Sequence, residues 1–349
     1  MTRPTTHSPP TSSLFLFKLV FYAYLLRLVA APAFAIPTRD DIKLSKRART
    51  VTSASKAGLA WPNGGDNLDQ YLATDKVSWF YSWSPQTGVR DSELEYVPML
   101  WGKNQVEEFN ATINQTISDL NVSVILGFNE PQEKGQSNLT PQEGADLWKT
   151  YLEPLRTSRN VRLGSPAPSS APSGKTWIRD FLAACNGGCT VDFIAMHYYD
   201  VNATDFIRFV TDYHNTFQRP IWVTEWACQN FNPGQDHNQC SYDDVVLFLN
   251  KTQSFMDETE WVERYSWFGA LYDLQGVNTD NALMTPRGKL TALGEQYIGS
   301  EPPRTGGSGN ADGPNAPGGG DGNGAICTGI AWYTLAAATW LTTAFWYIV

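Results

Sequence analysis

Short apolar runs recur through the middle of the chain, each ending in glycine, proline, an aromatic residue or a carboxylate. They occupy 56–61, 77–83, 96–101, 122–129, 161–166, 193–199, 221–226 and 265–271, eight in all. Most lack polar–apolar alternation, which is the pattern of parallel strands buried on both faces. The stretches between them read as helices. Val106, Phe109, Ile113, Ile117 and Leu120 recur every three or four residues and form one apolar stripe. Thr140-Pro141-Gln142-Glu143 is a capping box with proline at the first helical position, opening a helix that buries Ala145, Leu147, Trp148, Tyr151 and Leu155. Residues 176–184, 203–217 and 242–256 carry similar patterns. Eight strands alternating with helices predict the α/β class and, within one domain-length segment, closure into a (β/α)8 TIM barrel spanning 56–300.

The two ends differ in kind from this body. Residues 1–35 have the form of a secretory signal peptide, with Arg3 and Lys18 leading into the apolar run 19–31 and Ala33-Phe34-Ala35 at the cleavage position. Residues 36–55 are polar and basic and include the pair Lys46-Arg47, which suits either a propeptide or a basic arm. From 301 to 324 the chain is rich in Gly and Pro, the composition of a flexible linker. Residues 325–349 contain no charge and are long enough to span a membrane. A signal peptide, small residues, a polar spacer and an apolar tail together describe a GPI-attachment signal, with Ser308, Asn310 and Asn315 as candidate attachment residues. A single-span anchor is the rival reading, and the missing basic cluster after the tail counts against it.

The expected location is therefore the cell surface or cell wall, held at the plasma membrane. Asn-x-Ser/Thr sequons at Asn110, Asn114, Asn138, Asn202 and Asn250 suggest a glycosylated surface, whereas Asn121 is set apart because it lies at the edge of a predicted strand. Without Cys327 of the tail, four cysteines remain and allow three pairings. The local pairs Cys185–Cys189 and Cys228–Cys240 are the economical ones. A zinc site is the rival, but CxxC spacing and nearby histidines are lacking.

Charge narrows the partners. The chain carries 26 Lys+Arg against 35 Asp+Glu, a formal −9, and residues 1–47 are net +5, which leaves the remainder at −14. So acidic a body repels phosphate backbones, and no nucleic-acid partner is expected. The protein is expected to act as a monomer, and neither a metal nor a cofactor is implied.

Two carboxylates stand where chemistry is expected in a barrel, at the C-terminal ends of strands. Glu130 follows the fourth run in Asn129-Glu130-Pro131, and Glu225 ends the seventh in Thr224-Glu225-Trp226. A surface loop can hold either one alone. Strands 4 and 7 of a barrel, however, bring both to one cleft, and a carboxyl pair across a cleft is what glycoside hydrolysis requires. Their mutual repulsion should raise one pKa and keep a proton available. Glu133, Asp200, Asp205 and Glu263 read as solvated charges without a role.

A wider set of landmarks runs in order: Gly58-Leu59-Ala60-Trp61, Trp79-Phe80-Tyr81-Ser82-Trp83, Val97-Pro98-Met99-Leu100-Trp101-Gly102, Asn129-Glu130-Pro131, His197-Tyr198-Tyr199 and Thr224-Glu225-Trp226. Over about 56–298 this set resembles glycoside hydrolase family 128, the alkali-sensitive-linkage-like glycosyl hydrolases of the 4/7 superfamily of retaining glycosidases. The resemblance implies a secreted enzyme that cleaves β-1,3-glucan by double displacement, in fungal cell-wall remodelling. Glu130 would be the acid/base and Glu225 the nucleophile. Asn129 would bind the sugar 2-hydroxyl, Tyr199 would orient Glu225, and His197 would line the same pocket. Independently, the chain has 13 Trp, several at strand ends. Trp61, Trp83, Trp101, Trp226 and Trp267 are expected substrate contacts, because sugar C–H faces stack on indole, whereas Trp79 and Trp222 are expected to fill the core. A glucan-binding surface protein without turnover is the alternative; the intact carboxylate pair argues against it.

Overall fold

The computed structural model describes residues 54–301 except 233 and 235–237. The expected signal peptide and tail, with Ser308, Asn310 and Asn315, lie outside the described residues, as do the expected propeptide or basic arm except 54–55 and the expected linker except 301.

Eight parallel strands form, β1 Ala57–Ala60, β2 Val77–Tyr81, β3 Glu95–Tyr96, β4 Val124–Ile125, β5 Arg162–Leu163, β6 Ile194–Asp200, β7 Ile221–Cys228 and β8 Val262–Trp267. Six pair in the order β3-β2-β1-β8-β7-β6, and β4 pairs with β5. Single parallel bridges join the two groups, Met99 to Leu126 on one side and Gly164 to Phe193 on the other, so the eight strands close into a (β/α)8 barrel. Strands β1, β2 and β7 are buried along their whole length, as the apolar runs require. The eighth strand begins at Val262 and stops at Trp267, so Phe268–Leu271 belong to the loop above it.

Helices cover the outer face where a stripe exists. Val106–Leu120 and Ala203–Phe217 match the apolar spacing, and the others run Pro172–Cys185, Tyr242–Glu258 and Ala292–Ile298. The capping box at Thr140 forms, but the helix it opens stops at Leu147. A wide π-turn, Trp148–Leu152, then leads into Glu153–Arg159. Pro154 has no N–H to donate to the turn before it, and the wider turn absorbs that loss. The first two connections depart from strict alternation. Only a 3₁₀ turn, Asp69–Leu72, follows β1, and residues 82–94 after β2 contain no helix. Neither stretch has an apolar stripe to bury. Asn121 is the left-handed cap of helix Val106–Leu120, not a strand edge. Asn110, Asn114, Asn138 and Asn202 are exposed, and Asn250 is half-buried.

Aromatic rings fill the barrel below the site. Trp222 stacks on Phe193 with centroids 4.1 Å apart and lies 5.2 Å from Trp79. The guanidinium of Arg264 sits over Trp222 at 4.4 Å and is paired with buried Glu95. Trp79 lies across β1, where a Cβ on Gly58 would come within 2.1 Å of its indole. Both local disulfides form. Cys185–Cys189 closes the loop after helix Pro172–Cys185, and Cys228–Cys240 ties the end of β7 to the start of helix Tyr242–Glu258.

Gly58→Ala is expected to force Trp79 from its place and cost about 1–3 kcal/mol. Chemical denaturation measures this, and an unchanged midpoint would show that the ring does not depend on a bare backbone at 58.

Candidate active site

The site is assembled by the C-terminal ends of β4, β6 and β7, and local backbone irregularities aim its side chains. In β7, strict alternation would send Trp222 and Thr224 inward and Glu225 outward. The pairing with β6 instead matches Met196 to Val223 and His197 to Glu225, which leaves Thr224 as an extra residue, a β-bulge. The bulge reverses the phase. Glu225 turns into the barrel mouth, and Trp226 turns outward to pack against Trp267 and donate to Thr252 Oγ1 at 3.0 Å. The Tyr81 hydroxyl holds the bulge by donating to the Thr224 carbonyl at 3.0 Å. At β4, Glu130 takes a left-handed backbone with φ 40°, uncommon for a residue with a side chain, while its N–H donates to the Ala167 carbonyl at 2.8 Å.

The two carboxyl groups meet across His197. Its Nδ1 is 2.9 Å from Glu130 Oε1, and its Nε2 is 3.4 Å from Glu225 Oε1, close enough for attraction but not aligned as a hydrogen bond. One oxygen of each carboxyl and a ring nitrogen all lie within 4.8 Å of one another. Glu225 accepts from Tyr199 at 2.6 Å on Oε2, and from Trp83 Nε1 at 2.8 Å and Tyr81 at 3.3 Å on Oε1. Trp83, like Glu130, has a left-handed backbone, with φ 55°. Asn129 is buried and donates to Gln136 Oε1 at 3.1 Å, while its own Oδ1 has no partner among the described residues. An unsatisfied buried oxygen at this position is suited to a ligand hydroxyl.

Burial is the main cause of a raised Glu130 pKa; the charges of Glu225 and Glu133 add to it, and the His197 hydrogen bond opposes it. For His197 burial acts downward, but the adjacent carboxyls Glu225 and Glu130 outweigh it, so the imidazole keeps its proton above its ordinary range. Burial and the neighbouring Glu225 push the Tyr81 and Tyr199 hydroxyls well above their usual range, so both remain donors. The Glu130, His197 and Glu225 atoms also form a donor set that a divalent cation could use. These donors already have neighbours, however: His197 bonds Glu130, and three N–H or O–H groups point at Glu225.

The structure joins Glu130, His197, Glu225, Tyr199 and Trp83 in one contact cluster, and Asn129 adjoins Glu130 in the chain. Trp101 is half-buried at the rim, beside Asn129 through a backbone hydrogen bond of 2.9 Å. Three expected substrate contacts are corrected. Trp61, Trp226 and Trp267 are buried, and their indole N–H groups are committed to Gly64, Thr252 and Asn281. Trp226 could not share the cleft, because adjacent strand residues point to opposite faces. Glu133 is not a free solvated charge: it accepts from Ser169 at 2.7 Å. Glu263 is tied to Arg162 and to Trp222 Nε1. Tyr81, not among the expected site residues, also reaches Glu225, and the alternation from Trp79 through Tyr81 to Trp83 carries the signal for it.

Comparison with known proteins gives a consistent picture. The family model described as "Glycosyl hydrolase catalytic core" matches residues 58–297. The chain is 33% identical over 249 residues to alkali-sensitive linkage protein 1 of Schizosaccharomyces pombe, a match that covers 70% of this chain and 44% of that protein. Among solved structures it is similar to a family 128 subgroup III curdlan-specific exo-β-1,3-glucanase from Blastomyces gilchristii, crystallised with glucose. That match has a TM-score of 0.58 and 32% identity and covers 70% of this chain and 97% of that one. It is also similar to a subgroup II endo-β-1,3-glucanase from Sorangium cellulosum, with a TM-score of 0.60 and 28% identity, covering 70% and 98%.

His197 is expected to titrate above the ordinary imidazole value of about 6.5. Glu225→Gln removes the largest influence raising it, so its NMR titration midpoint should fall. A midpoint unmoved by that substitution would show that the two side chains do not share one field.

Proposed function

The chain belongs to glycoside hydrolase family 128, and from that premise we propose that it cleaves β-1,3-glucan by a retaining double displacement. The observation that carries this reading is the carboxyl pair, one oxygen of Glu130 lying within 4.8 Å of one oxygen of Glu225. Retaining enzymes hold their carboxyls at about 5–5.5 Å; inverting enzymes need about 6.5–9.5 Å to fit a water between them. The raised pKa of Glu130 suits it to the acid, because a proton must be present to pass to the departing oxygen. Glu225 is the nucleophile. Tyr199 and Trp83 each hold one of its oxygens, which fixes the direction of attack on the anomeric carbon.

In the first step Glu225 bonds to the anomeric carbon as the bond to the leaving oxygen breaks, and Glu130 gives that oxygen its proton. In the second, Glu130 takes a proton from water as the water oxygen replaces Glu225, and the two inversions leave a β-configured product. Protonated His197 between the carboxyls offsets the negative charge returning to each in turn. Asn129 meets the 2-hydroxyl, and Trp83 and Trp101 flank the sugar. Because the substrate is neutral, the acidic body is no obstacle.

The same reading places the protein at the cell surface, a GPI-anchored monomer working on wall glucan. The two disulfides and the exposed sequons support an oxidising, glycosylating compartment. The chain spans 44% of the length of its curated relative, so whatever the rest of that protein does has no counterpart in this match.

Glu225→Ala is expected to abolish cleavage, with added azide restoring turnover as an α-glycosyl azide; Glu130→Ala with azide should instead give the β-azide. Azide products of the opposite configurations would reverse the two roles, and no azide product from either variant would count against covalent chemistry.

A further inference from the structure

Phe231 is an aromatic residue for which the site chemistry has no use. Its ring is 56% exposed, the most open of the large apolar side chains among the described residues. An isolated exposed ring is ordinary, but this one is not isolated. It meets Tyr199 edge-on with centroids 5.2 Å apart; Tyr199 meets Phe268 at 5.9 Å, and Phe268 meets Trp83 at 6.0 Å. The four rings form a continuous chain of contacts, an arc of which two members, Trp83 and Tyr199, donate hydrogen bonds to the Glu225 carboxyl. Phe231 is the outer end of that arc.

The backbone on either side of the ring is anchored. Gln239 Oε1 accepts from the Asn230 N–H at 2.9 Å, its Nε2 donates to the Asn230 carbonyl at 2.6 Å, and the Asn232 N–H donates to Asn230 Oδ1 at 2.9 Å. The Cys228–Cys240 disulfide closes the same loop three residues beyond Glu225. Holding an apolar ring outward in this way gains little burial for the fold. It does offer a flat face to a partner with apolar C–H groups and a polar rim, and a β-glucose ring, with axial hydrogens on both faces and hydroxyls around its edge, is such a partner.

We propose that Phe231 is a stacking platform for a glucose unit neighbouring the one that reacts at Glu225, and that it makes the site favour β-1,3-linked chains over single glycosides. This rests on the β-1,3-glucanase reading above. The ring acts in binding and takes no part in the bond-breaking step.

The test compares laminarihexaose with an aryl β-glucoside too short to reach Phe231. Phe231→Ala should raise KM for laminarihexaose by roughly two- to tenfold, so that its advantage over the aryl glucoside shrinks by the same factor, and Phe231→Trp should restore it. An unchanged KM in Phe231→Ala overturns the platform. So does an equal loss on both substrates, which would mean that the ring only supports Tyr199, or a Trp variant as impaired as the Ala variant. If the wild-type protein cleaves no laminarihexaose, the β-1,3-glucanase reading itself falls, a result distinct from any of these.

Discussion

Two acidic side chains confined to one hollow repel each other, and the geometry of this site depends on how His197 relieves that repulsion. The imidazole bonds Glu130 at 2.9 Å and faces Glu225 at 3.4 Å, so one buried ring serves both carboxyls. A positive ring between them lets the pair stay close without both being neutralised. Burial still favours a proton on Glu130, while Tyr199, Trp83 and Tyr81 direct their donors to Glu225. Two chemically identical groups are thereby given different surroundings, and the division into acid and nucleophile follows from that difference.

The barrel makes this arrangement possible because it combines a rigid floor with a few exceptions to regular backbone. The stacked rings of Trp79, Trp222 and Phe193, with the Glu95–Arg264 pair beneath, leave the interior no freedom to collapse under the site. The exceptions sit directly above it: the bulge at Thr224 and the left-handed residues Glu130 and Trp83. The bulge turns Glu225 into the mouth where strict alternation would have pointed it outward. Tyr81 links floor and site, since its hydroxyl touches both the bulge and Glu225.

Much of this was legible in the chain. The eight apolar runs, the stripe from Val106 to Leu120 and the capping box at Thr140 are local signals, and they survive into the structure because each is set by residues close together in the chain. The proximity of Glu130 and Glu225 was readable once the strands had been counted. What could not be read was the phase of side chains across the bulge. One extra residue in β7 sent Trp226 to the helix layer, and composition holds no trace of it. Trp61 and Trp267 misled for a related reason: a strand-end tryptophan serves the outer layer as readily as the mouth. The helix opened at Thr140 was expected to run on through Leu155, and the π-turn at Trp148–Leu152 before Pro154 was not foreseen, because the apolar spacing does not register the missing N–H.

The central claim is that the paired carboxyls perform two successive inversions. The most direct test is proton NMR of the first product released from laminarihexaose, recorded before mutarotation. The β-anomer should appear first and the α-anomer only later, as the mixture equilibrates. An α-anomer formed first would mean a single inversion, and the account of Glu225 as a covalent nucleophile would be wrong.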